Sequence, residues 1–167
     1  MKIEKILKEI DELIIAREYS RAEIYLLQVM EKYPEHPEIH YLLGDVYCKL
    51  SLFELAVEHE KIANKILPGN PQILDLLGWA YFMNGDISEG RKHMQLALKI
   101  NPDDIRLLCD LTVLETHVGS KRALDYARKA LILAPHDSMV QEIASAAQIF
   151  ITSKERMKNK SRKKAQN

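Results

Sequence analysis

The sequence predicts an all-α chain of about four helical hairpins and a C-terminal capping helix, on three observations. Segment 44–68, GDVYCKLSLFELAVEHEKIANKILP, aligns with segment 78–102, GWAYFMNGDISEGRKHMQLALKINP, so that Gly44 pairs with Gly78, Tyr47 with Tyr81, Ala63 with Ala97 and Pro68 with Pro102, all at one constant step. Within one such period the apolar residues follow helical spacing twice, first at Ile39, Leu42, Leu43, Val46, Tyr47 and Leu50, then at Leu55, Ala56, Ile62, Ala63, Ile66 and Leu67. A proline closes every second helix, at Pro34, Pro68, Pro102 and Pro135, because a residue without a backbone donor cannot continue one. A period of this length is the mark of a supersecondary unit that buries its apolar face only by stacking on copies of itself.

The elements follow in order. The first hairpin covers about 3–36, where Ala22 and Pro34 precede Ala56 and Pro68 by the same step. The second runs over about 37–70 and the third over about 71–104, entered through Asn70, a capping residue, with Pro71 at the first helical position. The fourth, about 105–137, is capped by Asp103 or Asp104. Here Gly90, Ala123, Ala130 and Pro135 continue the pattern with one residue missing between Leu111 and Ala123, which places the deletion in the turn around Gly119 and Ser120. Gly44 and Gly78 sit mid-helix at a cost of about 1 kcal/mol each relative to alanine, so close packing against the second helices is expected, with Ala56, Ala63, Ala97, Ala123 and Ala130 as the facing small residues. Leu43, Tyr47, Leu77 and Tyr81 then fill the space between hairpins.

After Asp137, another capping residue, Met139, Ile143, Ala147 and Phe150 form the stripe of a helix over about 138–153, with Gln141, Glu142, Ser145 and Gln148 as its polar outer side. From Lys154 to Asn167 apolar residues almost vanish, and seven basic residues stand against Glu155 alone, for a charge of +6. This segment is expected to be a frayed helix passing into a disordered tail. The whole chain has 24 basic and 24 acidic residues, so the body before the tail carries −6.

At 167 residues and 47% hydrophobic content the chain can bury one sizeable core. No apolar run approaches the roughly 18 residues of a membrane span, and the N-terminal MKIEKILKEIDEL interleaves charges where a signal peptide would be apolar. Cys48 and Cys109 form no disulfide framework. A cytoplasmic protein with free thiols is the expectation.

Leu43-Gly44, Tyr47, Ala56, Ala63 and Pro68, repeated as Leu77-Gly78, Tyr81, Gly90, Ala97 and Pro102, closely resemble the tetratricopeptide repeat, with its leucine-glycine pair, tyrosine, two small residues and closing proline. The resemblance covers residues 3 to about 137 and implies a right-handed superhelix. The outer hairpins depart from it: Glu9-Ile10 replaces Leu-Gly in the first, and Thr112 and Glu115 replace glycine and tyrosine in the fourth.

Catalysis needs a convergent nucleophile, base and stabiliser, or a metal with enough ligands, and the sequence offers none. The six glycines form no phosphate loop. His36 and His40 are separated by a helix-starting Pro37 and read as surface histidines, while Glu58 and Glu60 beside His59 point in different directions on a helix. A non-enzymatic protein without cofactor or metal is therefore expected, and Cys48 and Cys109 read as small groove or core residues.

Recognition is what the resemblance implies. In that family the first helices of the hairpins line a concave groove for a peptide. By register the groove here would present Glu4, Leu7 and Asp11, then Glu38, Tyr41, Asp45 and Cys48, then Gln72, Asp75, Trp79 and Phe82, then Arg106, Cys109, Val113 and Thr116. Five carboxylates against one arginine, around Tyr41, Trp79 and Phe82, suit a basic and apolar peptide. The competing reading makes Asp45 and Asp75 solvated face residues and Phe82 a core residue. Trp79 stands out as functional, because Gly78 and Tyr81 already take the core-facing positions. Relatives that grip a C-terminal carboxylate use lysines and asparagines where this chain has Tyr41, Asp45, Leu76 and Arg106, so such a ligand is not expected.

An adaptor or scaffold for a protein partner is thus the main expectation. A secretion chaperone of the type III translocator kind, similar in size and hairpin number, is the alternative. Self-association through the Tyr41 and Trp79 surface is a further reading. The basic tail reads first as solvated, then as a contact for nucleic acid or an anionic membrane, and third as an internal competitor for the acidic groove.

Overall fold

The computed structural model describes residues 3–164. Among the described residues it is entirely helical: α1 (Ile3–Ile15), α2 (Tyr19–Lys32), α3 (Pro37–Lys49), α4 (Phe53–Ile66), α5 (Pro71–Met83), α6 (Ile87–Ile100), α7 (Ile105–Val118), α8 (Arg122–Leu133) and α9 (Ser138–Lys164). The chain divides into two compact units at Ala97/Leu98. In the first, α1 packs on α2, α2 on α3, α3 on both α4 and α5, and α4 on α5. In the second, α7, α8 and α9 pack on one another.

Each hairpin turn is built alike. Arg17, Ser51, Gly85 and Gly119 all take positive φ, between 60° and 91°, and they recur at the same step as the repeat itself. The next amide reaches back to the last turn of the first helix: Glu18 N–H donates to Leu13 O, Leu52 to Tyr47 O, Asp86 to Tyr81 O and Ser120 to Glu115 O, at 2.8–2.9 Å. This left-handed closure ties off carbonyls that the helix end would leave orphaned. The missing residue therefore falls after Ser120, in the turn where the sequence places it. Ala22, Ala56 and Gly90 donate four residues back, to Glu18, Leu52 and Asp86, whereas Ala123 donates three back, to Ser120. The deletion is absorbed by a tighter first turn of α8.

Caps behave as expected, with Asp104 rather than Asp103 in the role. Asn70 Oδ1 accepts from Gln72 and Ile73, Asp104 Oδ1 from Leu107, and Asp137 Oδ1 from Met139 and Val140. The closing prolines each lie two residues past α2, α4, α6 and α8. Close helix approach at the mid-helix glycines is also observed: a Cβ on Gly78 would lie 2.7 Å from Met94 Cγ and 2.9 Å from Gly90 O. That backbone contact has no room to yield.

The outer hairpins solve the same packing with other volumes. At the glycine position stand Ile10, Gly44, Gly78 and Thr112, and at the facing second-helix position Leu26, Glu60, Met94 and Ala127; the eight are buried. Thr112 is bulkier than glycine, and its register partner Ala127 is the smallest of the four facing residues. Thr112 satisfies its own hydroxyl by donating to Leu108 O at 2.7 Å.

Two expectations about α9 are corrected. Its buried face is Val140, Ala144, Ala147 and Ile151, while Met139 and Phe150 are exposed. The helix is rotated by about one residue from the stripe read in sequence, because the small alanines let it lie close on α7 and α8. Gln141, Glu142, Ser145 and Gln148 are exposed, but they do not form one outer side: Gln141, Ser145 and Gln148 line a cleft of about 550 Å³ with Leu124, Ala127, Arg128 and Leu131 of α8. Beyond Ser153 the chain stays helical to Lys164 instead of becoming disordered. Lys154 Nζ donates to Val118 O at 3.2 Å and Glu155 pairs with Lys121, which fastens the helix to the α7–α8 turn. Lysine, arginine and methionine then carry it on as good helix formers; residues 165–167 of the expected tail lie outside the described residues.

Candidate peptide-binding face

Of the expected site residues, Glu38, Tyr41, Asp45, Trp79 and Phe82 stand at exposed or half-buried positions on the first helices of the first unit. Two clefts lie along these helices. One, of about 260 Å³, is lined by Ile3, Glu4, Leu7, Lys8 and Asp11 of α1 with His36 and Glu38. The other, of about 290 Å³, brings Glu38 and Tyr41 of α3 to Gln72 and Ile73 of α5, with Leu67 and Asn70 at its edge. Prolines at the starts of α3 and α5 and the Asn70 cap set these helix ends side by side.

Electrostatics along the face are acidic. Burial and the nearby Asp45 charge together push the Asp11 carboxyl above the usual carboxylate range, so a carboxylate of α3 is felt by one of α1 across the helix pair. Lys49 offsets part of this with its ammonium 3.6 Å from Asp45 Oδ1. Glu38 is exposed and Asp45 half-buried.

The aromatic residues divide into two places. Tyr41 lines the second cleft, while Trp79 and Phe82 meet edge to face, ring centroids 5.6 Å apart at 66°. Both residues of that pair are half-buried. Phe82 leans towards the hairpin interior, its backbone nitrogen 3.0 Å and its Cβ 3.1 Å from where a Cβ on Gly90 would sit.

Several expected groove residues are elsewhere. Asp75 is buried, at 7% exposure, and so is not a solvated face residue. Leu7 belongs to the core of the first unit although its edge reaches a cleft, and Cys109 belongs to the core of the second, where burial raises its thiol pKa. Arg106 is a residue of α7, in the second unit, with its exposed side chain's Nε 3.8 Å from Asp110 Oδ2.

Residues that sequence reading passed over lie behind the face, in the second hairpin. His40 is not a surface histidine: it is 4% exposed, its Nε2 donates to Pro34 O at 2.9 Å, and its Nδ1 meets His59 Nδ1 at 3.0 Å with the rings stacked. That geometry assigns the His40 proton to Nε2 and the bridging proton to His59. Burial, then the His40 ring, lower the His59 pKa against an opposing pull from Glu58. His59 also packs on Tyr47, at 5.4 Å, and one repeat further on His93 stacks on Tyr81 at 5.3 Å; this tyrosine-histidine contact is a repeat feature legible in the alignment.

Glu60 is the second omission. It is 0% exposed, neither carboxylate oxygen has a hydrogen-bond partner, and a Cβ on Gly44 would lie 2.7 Å from its Cγ. Burial, helped by the Asp45 charge, raises its pKa well above the usual value, because taking the carboxylate out of water disfavours the charged form. Its place among Leu26, Met94 and Ala127 in the repeat alignment was the available signal.

Among the described residues no group of three or more histidine, cysteine, aspartate or glutamate side chains is arranged to hold a metal ion, and no helix is long and apolar enough to cross a membrane. Residues 71–104 match the family model described as tetratricopeptide repeat. No curated protein is matched. Among solved structures, the chain is similar to a double mutant of MamA RS-1, at 24% identity over 78% of this chain and 74% of that one, with a TM-score of 0.70. It is similar also to MamA residues 41 to the end from Desulfovibrio magneticus RS-1, at 22% identity over 82% and 78% of the two chains, TM-score 0.72. A third similarity is to the APC/C hetero-tetramer Cut9–Hcn1, at 16% identity and TM-score 0.79, covering 85% of this chain but 29% of that one.

Proposed function

For a chain that is a tetratricopeptide-repeat protein in fold, with residues 71–104 matched as a repeat, we propose the role of a non-enzymatic scaffold that takes a basic, partly apolar peptide on the α1–α3–α5 face of its first unit. The observation that carries this reading is the pair of clefts that share Glu38, one lined also by Glu4 and Asp11 of α1 and the other by Tyr41 of α3 with Gln72 and Ile73 of α5. Like charges held together on an accessible face favour a cationic ligand, which relieves the repulsion as it binds. Glu4 and Glu38 extend the acidic track, Tyr41 lines a cleft along it, and the half-buried Trp79–Phe82 pair offers apolar area to a ligand side chain.

Trp79 is the sole tryptophan, so its emission reports directly on the face. The test is calorimetry together with Trp79 fluorescence, titrating the full chain with lysine-rich apolar peptides and with acidic peptides ending in a free carboxylate. Binding of the basic set, weakened at least tenfold by Glu38→Lys with Asp45→Asn and by Trp79→Ala, is expected. Preference for the acidic set, or basic-peptide binding that ignores all three substitutions, refutes the assignment.

A further inference from the structure

The rotation of α9 leaves an apolar strip facing away from the core. Val140, Ala144, Ala147 and Ile151 are buried. On the other side Ile149 is 68%, Phe150 46% and Met157 63% exposed. At about 100° per residue these three fall within one sector of roughly 100°, and Arg156 and Lys160 fall at its edge and within it. Past the α7–α8 turn, Arg156, Lys158, Lys160 and Arg162 are all exposed on helix rather than on a loose tail. The segment from Lys154 carries seven cations against Glu155, and Glu155 is already engaged with Lys121.

We propose that α9 from Ile149 onward is a membrane-surface helix, lying on an anionic bilayer with Ile149, Phe150 and Met157 turned into the headgroup region and Arg156 and Lys160, beside and within that strip, on the lipid phosphates and carboxylates. Both halves of that chemistry are present: a fixed apolar strip, and a run of cations of the size that binds anionic headgroups. A nucleic acid would use the cations alone. It has no place for the exposed Ile149 and Met157 side chains, and a single ring, Phe150, provides little for stacked bases. This surface lies within the second unit.

The test is vesicle co-sedimentation of the full chain at physiological salt, with vesicles of phosphatidylcholine alone and with vesicles of phosphatidylcholine mixed with phosphatidylserine, in the presence and absence of duplex DNA or single-stranded RNA. Binding to the anionic vesicles alone is expected. Arg156→Ser with Lys160→Ser should weaken it about fivefold per cation removed, and Phe150→Ser with Met157→Ser should abolish it. All four positions are exposed, so far-UV circular dichroism and the thermal midpoint should stay at parental values. Absence of lipid binding, or equal binding to both kinds of vesicle, overturns the proposal, as does vesicle binding unchanged by Phe150→Ser and Met157→Ser. So does nucleic acid that binds more tightly than the vesicles and strips the protein from them.

Discussion

Replacing Glu60 by methionine is expected to stabilise the first unit, and the gain should grow with pH. The carboxyl is fully buried against Gly44 with both oxygens lacking a partner, and an unsatisfied buried polar group costs about 1–3 kcal/mol even when neutral. Methionine is the residue that the next repeat uses here, since Met94 is buried against Gly78 in the same manner, so the exchange needs no new space. In acid, where the carboxyl is protonated folded and unfolded, the variant should lead by that amount. Because burial raises the native pKa above the ordinary 4.5, the unfolded chain releases its proton first as the pH rises. From that point the parent loses about 1.4 kcal/mol per pH unit until the native pKa is reached. Urea denaturation followed by Trp79 fluorescence and circular dichroism at pH 4.0, 5.5 and 7.0 measures both parts. Glu60→Gln separates them, since it keeps the buried polar group but cannot titrate. A Met variant no more stable than the parent at pH 7.0, or a gap that does not widen between pH 4.0 and 5.5, would refute the account of Glu60 as a buried, unpartnered acid whose pKa is raised.

The His40–His59 pair gives a slope of the opposite sign. The native His59 pKa is lowered from 6.5, so as the pH falls below 6.5 the unfolded chain takes up a proton that the native ring refuses, and stability is lost; His59→Phe should flatten this limb in denaturation curves between pH 7.5 and 5.5, and an unchanged slope counts against the pairing. At the hairpin turns, Ser51 holds φ at 61° where the third and fourth hairpins have glycine. Ser51→Gly should therefore stabilise the second hairpin by about 1 kcal/mol, read as a rise in thermal midpoint, whereas a fall would show that the side chain contributes more than its strain costs.

The repeat carried most of the fold in plain sight. Glycine, tyrosine, alanine and proline recurring at one fixed step are constraints on backbone approach and helix termination, and those depend on residue type rather than on distant partners. Asn70, Asp104 and Asp137 capped as local chemistry requires. The candidate face was half legible. Glu38 is exposed and Asp45 and Trp79 are half-buried, and helix periodicity fixes which side such a residue takes. Register put Asp75 and Leu7 on the same face with no means of seeing how deeply the neighbouring helices would bury them.

The sequence by itself determined the helical hairpins, their turns and the acid-base division of the chain, since each follows from local backbone preference or from counting charges. Only the tertiary structure decided which ionisable groups lose their water: Glu60 and His40 look like ordinary polar residues of helical segments until α3 and α4 close on them. It also decided the rotation of α9, where a shift of one residue moved Phe150 from the expected core to the surface and Ile151 into it. A helix face is a continuous angle, and the alanines on which α9 packs, not its most hydrophobic residues, set that angle.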